Sequence, residues 1–341
     1  MATTFKTAFE SIYLTAHLPE EVSFETDAAR LEVNIFVDGT KVFKSVYYPF
    51  NGIVLVRDIR SIVEASMIEQ QLMMASMGIE VYEPDELNAA ISVSGIKVVF
   101  SKFRMVMGSE SFLSSYFLTT RHSALIPRNG QVKLCNYTKA YAQGSNTALI
   151  YYSHQKVPGV IFTYKANLGK MQSTSEKIVV AELSHQYFKA MVDKAKSTNC
   201  KVHGVEYQIG VRRFNIFFTD EVPTEEFSFL NAFNIIETDY LYNTTTIKTE
   251  VDRSETVCGN RTQFYDESVK VKHEVETAPL TYDEAMWLNQ MLTSKLVQKP
   301  VSNNAAAEIL ISDISSEVSD SDKELIRLKF SWRYADNNEY I

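Results

Sequence analysis

The last third of the chain, residues 244–336, constrains the fold more than any other part. Two stretches in it, residues 245–255 and 263–277, alternate Thr, Lys, Glu and Arg with apolar residues. This alternation is typical of strands that keep one face in water. The residues at 258–260, Cys-Gly-Asn, favour a turn because Gly and Asn tolerate positive φ. The pattern predicts two successive strands joined by a turn.

A helix with a defined start follows these strands. Thr281 and Glu284 have the spacing of a capping box, and Pro279 lies just ahead of them. The helix has an apolar face, flanked by Trp287 and formed by Ala285, Leu288, Met291 and Leu292. Strands at residues 307–314 and 324–332, separated by an acidic turn at 317–323, complete the unit. Residues 223–341 are therefore expected to form an α+β closing domain, with an antiparallel sheet and one capped helix.

The start of the chain predicts a β-sandwich-like domain over residues 1–88. Alternating residues 31–37 and 42–48 flank Asp38-Gly39, a dipeptide that favours the primed turn of a two-residue hairpin. Residues 62–78 are closer to a helical period, with Met67, Met73 and Met77 among their apolar positions. The methionines are interpreted as core filling, with a flexible binding groove as the alternative.

Residues 89–222 predict a β-rich middle domain with one short helix. Ser184 and the lysines Lys194 and Lys196 mark a helix over about residues 185–196. Residues 109–118 are expected to be irregular, and residues 221–226 are the best linker candidate. Strands are predicted at residues 91–103, 132–137, 147–153, 159–165 and 177–183.

Composition supports this mainly β architecture, in which a few short helices accompany the sheets. At 341 residues the chain is too long for one ordinary core, which favours two or three domains. Aromatic residues make up 12% of it, and aromatic side chains are favoured in strands. The net charge of -8 argues against a nucleic-acid partner, because phosphate binding needs clustered Lys and Arg.

Compartment and chemistry are constrained mainly by what the sequence lacks. The three cysteines, Cys135, Cys200 and Cys258, are odd in number and far apart, as expected for reduced thiols. Neither a secretory leader nor a membrane span is recognisable, so we expect a product made and folded in a cytoplasm. Nucleophile elbows, phosphate loops and paired histidines are missing as well. We therefore expect no catalytic residue, cofactor or metal, although the acidic residues 313–322 leave a weak calcium alternative.

Paired aromatic residues are the most distinctive side chains. Tyr47-Tyr48 and Tyr151-Tyr152 place successive rings on opposite faces of a strand. Burial between sheets or in a subunit interface is the main interpretation, and a carbohydrate-stacking platform is the alternative. The residues proposed as a candidate interaction surface are Tyr47, Tyr48, Tyr151, Tyr152, Trp287 and Trp332.

Several segments carry a family resemblance over roughly the last two-thirds of the chain. They are residues 112–119, 227–233, 248–255, 273–281 with the helix that follows, and 328–336. These segments resemble uncharacterised proteins carried by phages and prophages of Bacteroidales. The resemblance implies a structural role in a virion, associated with the tail, and carries no catalytic motif.

Sequence and resemblance together predict a protein that acts through protein-protein contacts in a symmetric assembly. Its partners would be copies of itself, as a homo-oligomer, and other virion proteins. The alternative is a carbohydrate-binding or host-adhesion β-sandwich that recognises host-surface glycans. An uncharacterised hydrolase is the third possibility, and the prediction is that the protein is not an enzyme.

Overall fold

The computed structural model describes residues 3–84, 86–138, 146–154, 156–169, 176–196, 199–301, 305–315 and 326–336. Strands dominate it and the α-helices are short, which confirms the predicted mainly β fold with a few short helices. No helix in these ranges is both long enough and apolar enough to cross a membrane.

Two sheets sharing one core form the first region. Its elements are β1 (Thr4–Phe5), β2 (Ile12–Leu14), a 3-10 turn (Thr15–His17), β3 (Glu21–Glu25), β4 (Leu31–Val37), β5 (Thr40–Tyr47), β6 (Ile53–Arg57), α1 (Ile59–Glu69), β7 (Met74–Tyr82) and β8 (Ile91–Val99). One sheet has the order β2-β8-β7-β4-β5 and the other β1-β3-β6. Asp38 and Gly39 have φ of 47° and 78°, which confirms the predicted hairpin turn.

Two predictions for this region are wrong. The helix expected over residues 62–78 ends at Glu69, and Gln71, with φ of 53°, redirects the chain into β7. From Met74 onward burial alternates, so that Met77 belongs to a strand. The division at residue 88 also separates two paired strands, since β8 is hydrogen-bonded to β7 and β2.

The middle region is also built of paired strands. Its elements are α2 (Ser109–Ser115), β9 (Ser123–Pro127), β10 (Gln131–Thr138), β11 (Asn146–His154), β12 (Val157–Gly169), β13 (Lys177–Ser184), α3 (His185–Lys196), β14 (Cys200–Ile209) and β15 (Arg212–Thr219). Five strands form a sheet in the order β12-β11-β14-β15-β9, and β10 pairs with β13. The hydroxyl of Ser184 accepts a hydrogen bond from the Tyr187 amide at 3.2 Å, which confirms the predicted start of α3.

Helix α2 corrects the expectation that residues 109–118 are irregular. Phe112 and Leu113 are buried on one side of it, and the Phe112 ring stacks on Phe233 with centroids 5.6 Å apart. This helix belongs to a core shared by all three regions, where Leu14 and Val99 of the first meet Phe233 of the third. The helical turn is therefore stabilised by distant packing, which its local sequence does not show.

The closing region is the predicted antiparallel sheet with one capped helix. It contains β16 (Glu225–Leu230), β17 (Ile236–Leu241), β18 (Thr244–Cys258), β19 (Arg261–Glu276), α4 (Tyr282–Leu292), β20 (Val297–Pro300), β21 (Ala306–Ser315) and β22 (Lys329–Tyr334). Its strand order is β17-β16-β20-β21-β22-β19-β18. Thr281 and Glu284 form the predicted capping box. The acidic turn predicted at residues 317–323 lies outside the described residues.

This seven-stranded sheet curls around its helix. Its two edge strands, β17 and β18, follow each other in sequence and are joined by Tyr242 and Asn243 alone. The inner face buries Phe227, Phe330 and Trp332 together with the apolar side of α4. Among the described strands of this sheet, β18 and β19 are the longest, with 15 and 16 residues.

Candidate docking surface

The outer part of the β18–β19 hairpin, residues 246–272, is called the arm here. Strand β18 pairs with β19 along its whole length, from Thr244 to Cys258. Strand β19 pairs with β22 only from His273 to Glu276. In the part of the chain that the structure describes, the arm is therefore a two-stranded ribbon that extends beyond the sheet.

The cross-strand register gives the arm two chemically different faces. Residues directly opposite each other lie on the same face, and successive residues alternate between faces. Val251 lies opposite Val269, whereas Glu250 lies opposite Lys270. The apolar face carries Ile247, Thr249, Val251, Val257, Phe264, Val269 and Val271, and Arg253 and Glu255 interrupt it between Val251 and Val257. The charged face carries Lys248, Glu250, Asp252, Asp266, Lys270 and Lys272, and Glu274 continues it at the base of the arm.

The apolar face continues the core-facing side of the sheet into water. At the base, Val275 and His273 are buried, with exposed fractions of 2% and 9%. Farther out on the same face Val269 is 50% exposed, Phe264 56% and Val257 71%. The alternation of apolar residues that is typical of a core strand thus continues past the point where the core around α4 ends.

Aromatic stacking fixes the base of the arm. The imidazole of His273 lies parallel to the indole of Trp332, its cross-strand neighbour on β22. The ammonium of Lys299 is 4.5 Å from the centroid of the same indole and pairs with the Glu225 carboxylate. Burial lowers the pKa of Lys299 to about 8. The base of the arm is therefore held by packing against β22 and β20.

The residues predicted as an interaction surface do not lie together. Trp332 is 1% exposed and Trp287 5% exposed, because both belong to the core around α4. Tyr152 is likewise buried, in the middle core. These three assignments to a surface are wrong. Of the others, Tyr48 is well exposed, while Tyr47 and Tyr151 are half-buried.

The apolar residues of the arm were missed, although the sequence contained a signal for them. The alternation in residues 245–255 and 263–277 predicts only that one face of each strand is in water. Strands of 15 and 16 residues are much longer than the four to ten residues of their neighbours in the sheet. The excess length indicates that part of the apolar side has no core to cover it.

A second candidate is a cleft of about 300 Å³ beside α4. Arg121 lies there with its guanidinium carbon 4.2 Å from the centroid of the Trp287 ring. Glu237 accepts hydrogen bonds from the Trp287 indole and the Asn231 amide, both at 2.6 Å. Burial raises the pKa of Asp239, which also lines the cleft, to about 6. Arg121 of the middle region thus contacts both Trp287 of α4 and Glu237, so the cluster joins the middle region to α4.

Metal ligation has no obvious centre in the described ranges. No group of three or more His, Cys, Asp or Glu side chains there is placed to hold an ion. Most of the acidic residues 313–322 lie outside those ranges. The weak calcium alternative therefore stays untested.

Comparisons with known proteins add little. No protein-family model matches the chain, and no curated protein matches it. Among solved structures, the calcium-binding domain CBD12 of CALX1.1 is 9% identical, with a TM-score of 0.21, over 64% of this chain and 100% of that one. CBD12 from CALX1.2 is 10% identical, with a TM-score of 0.19, over 64% and 99%. Likeness at this level carries no argument about function.

Proposed function

We propose that this chain is a structural component of a phage virion, associated with the tail, which acts through protein-protein contacts in a symmetric assembly. On this proposal it is made in a bacterial cytoplasm and binds copies of itself and other virion proteins. It performs no catalysis. The resemblance of residues 227–233 and 273–281 to phage and prophage proteins of Bacteroidales supports the setting.

The observation that carries the proposal is the exposed apolar face of the arm. From Ile247 to Val257 this face is about 33 Å long at roughly 3.3 Å per residue. Exposed apolar patches of this kind often mark binding sites. A two-stranded ribbon alone in water is also only marginally stable. Burial against another protein would both cover the apolar side chains and stabilise the ribbon.

The mixed charges of the opposite face fit the same role. Lys248 pairs with Glu274 at 2.7 Å, and Lys272 pairs with Asp313 at 2.5 Å. Such exposed pairs contribute little to stability, but they keep the charged face in water. The arm therefore has one side suited to contact and one suited to solvent.

Two double variants test the proposal by light scattering after size-exclusion chromatography. Val251→Thr with Val269→Thr removes apolar surface from one cross-strand pair and keeps β-branched residues. Glu250→Thr with Lys270→Thr changes the neighbouring pair on the charged face and is the matched control. We expect the wild type to self-associate, the valine variant to do so more weakly and the control to resemble the wild type. A wild type that stays monomeric at every concentration would contradict self-assembly.

A carbohydrate-binding or host-adhesion protein is the second candidate. It is favoured by Tyr48 and Phe50, which are 74% and 80% exposed in the turn after β5. Exposed aromatic rings stack well on sugars because the flat ring packs against the face of the sugar that carries C–H groups. A monomeric wild type that binds a glycan array, with binding lost in Tyr48→Ala, would support this function over the first.

A further inference from the structure

We propose that β18 pairs edge to edge with β18 of a second copy, antiparallel, about a two-fold axis that passes beside Ser254. This inference rests on the proposed function and names one contact of the assembly. It would join two arms into a four-stranded sheet.

The outer edge of β18 is available for such pairing. Among the residues that the structure describes, β18 is the terminal strand of the seven-stranded order, and β19 lies on one side of it. Along the arm, the backbone N–H and C=O groups on its other edge point away from β19 and from the rest of the sheet. Edges of this kind are templates for another strand unless they are covered or charged against it.

Symmetry restricts the possible registers. When two copies of one strand pair antiparallel about a two-fold axis, one residue lies opposite itself, and residues equally far from it on either side lie opposite each other. Opposite residues must share a face. An axis between two residues would place successive residues, which lie on different faces, opposite each other. Only registers centred on a residue are therefore allowed. In each of these the two apolar faces lie on the same side of the joined sheet.

Charge then eliminates most of these registers, because like charges directly opposite each other are destabilising. A register centred on a charged residue places that residue opposite its own copy. A register centred on Val251 places Glu250 opposite Asp252. The centres removed in this way are Lys248, Glu250, Val251, Asp252, Arg253 and Glu255, which leaves Thr249 and Ser254 between residues 248 and 255. Centres nearer the tip overlap over five residues or fewer.

The body of the protein decides between the remaining two. A register centred on Thr249 would carry the tip of one arm to the second copy's Tyr240, opposite Cys258. Tyr240 is buried and already paired with Glu226 of β16. The register centred on Ser254 keeps the overlap within residues 250–258, all of which lie in the arm.

Side chains in the register centred on Ser254 are complementary. Arg253 lies opposite Glu255 of the second copy, and Val251 lies opposite its Val257, and each pair occurs twice by symmetry. The Arg253 guanidinium is also 5.1 Å from the centroid of the Phe264 ring on the same face. On the side of the apolar faces, the joined sheet would therefore carry two central ion pairs, one on each side of the axis, flanked by the two valine pairs.

Disulfide trapping tests the register. Residues directly opposite in a sheet have Cα atoms about 4.5–5.5 Å apart, which a disulfide spans. Cys258 is exposed, whereas Cys135 and Cys200 are buried, so Cys258→Ser provides the background. In it, Ser254→Cys is expected to give a covalent dimer on mild oxidation, and Thr249→Cys is not. A dimer from Thr249→Cys alone, or from neither variant, overturns the register.

Charge exchange supplies an independent test by sedimentation equilibrium. Arg253→Glu alone and Glu255→Arg alone each place like charges opposite, and each should weaken self-association about tenfold. The variant carrying both changes restores opposite charges and should regain association. If both single variants associate like the wild type, the edge pairing is wrong while assembly through another surface stands. A monomeric wild type overturns both.

Discussion

His273 on β19 stacks on Trp332 of β22, with ring centroids 3.9 Å apart and planes within 6° of each other. The two residues are direct cross-strand partners at the point where the hairpin leaves the sheet. Inside this point the apolar side of β19 is buried, and outside it the same side is exposed. The pair therefore marks the boundary between the core and the arm.

The stack should stabilise the base of the arm. Replacing His273 by Thr keeps a residue suited to a strand but removes the ring, and we expect a loss of about 1 kcal/mol in the free energy of unfolding. Urea denaturation measures this loss. Thr262→Ala, at the exposed tip, is the control and should change stability by less than about 0.5 kcal/mol. Equal effects of the two changes would show that the stack contributes nothing.

The capping box should contribute to the stability of α4. The Thr281 hydroxyl accepts a hydrogen bond from the Glu284 amide, and the Glu284 carboxylate accepts one from the Thr281 amide at 2.9 Å. Thr281→Ala is expected to cost about 1 kcal/mol of unfolding free energy, because an amide in the first turn loses its partner. Thr281→Ser keeps the hydroxyl and should cost much less. A serine variant as unstable as the alanine variant would refute this role.

His185 should make the protein less stable in acid. Burial, together with the nearby Arg128 charge, lowers the pKa of His185 from 6.5 to about 4. Between these values the unfolded chain binds a proton that the folded chain does not, so stability falls as the pH drops from about 6.5 to 4. In His185→Gln we expect the loss between pH 7 and pH 4.5 to shrink by on the order of 1–2 kcal/mol. An unchanged profile would contradict this source of acid sensitivity.

Asp239 should have the opposite effect. Burial raises its pKa from 3.8 to about 6, so between these values the folded chain holds a proton that the unfolded chain has lost. This group makes stability fall as the pH rises from about 4 to 6. Asp239→Asn cannot ionise and should be more stable than the wild type at pH 7.5, by on the order of 1–2 kcal/mol, and about equal to it at pH 4. A variant that is less stable at pH 7.5 would show that the carboxylate is needed.

Local signals in the sequence predicted local structure well. The turn at Asp38-Gly39, the start of α3 at Ser184 and the capping box of α4 each depend on a few neighbouring residues, and each is confirmed. The mainly β fold also follows from short-range alternation. These features do not depend on knowing which strands meet.

Features that depend on distant contacts were not predictable in the same way. Helix α2 exists because Phe112 packs on Phe233, which is 121 positions away in sequence. The burial of Trp287 does not follow from its place beside the apolar helical face, because the Glu237 carboxylate that its indole binds is 50 positions away in sequence. The pairing of β8 with β2 likewise joins segments that no local pattern connects.

The arm was predictable in part, because its strands follow from local sequence and its exposure depends on distant contacts. Alternation along residues 245–255 and 263–277 predicted the strands and a charged face. It did not show where the core ends, because that depends on β22 pairing with β19 only from His273 to Glu276. The exposure of Val251, Val257 and Phe264 is therefore a property of the assembled sheet.

Amide hydrogen exchange of the arm, followed at low and high protein concentration, tests the central claim most directly. If the arm docks in an assembly, amides of residues 246–272 should exchange more slowly as the protein becomes more concentrated, while the control segment β4 exchanges at an unchanged rate. Fast exchange of the arm at every concentration, in a protein that light scattering shows to be assembled, would contradict the arm as the docking surface.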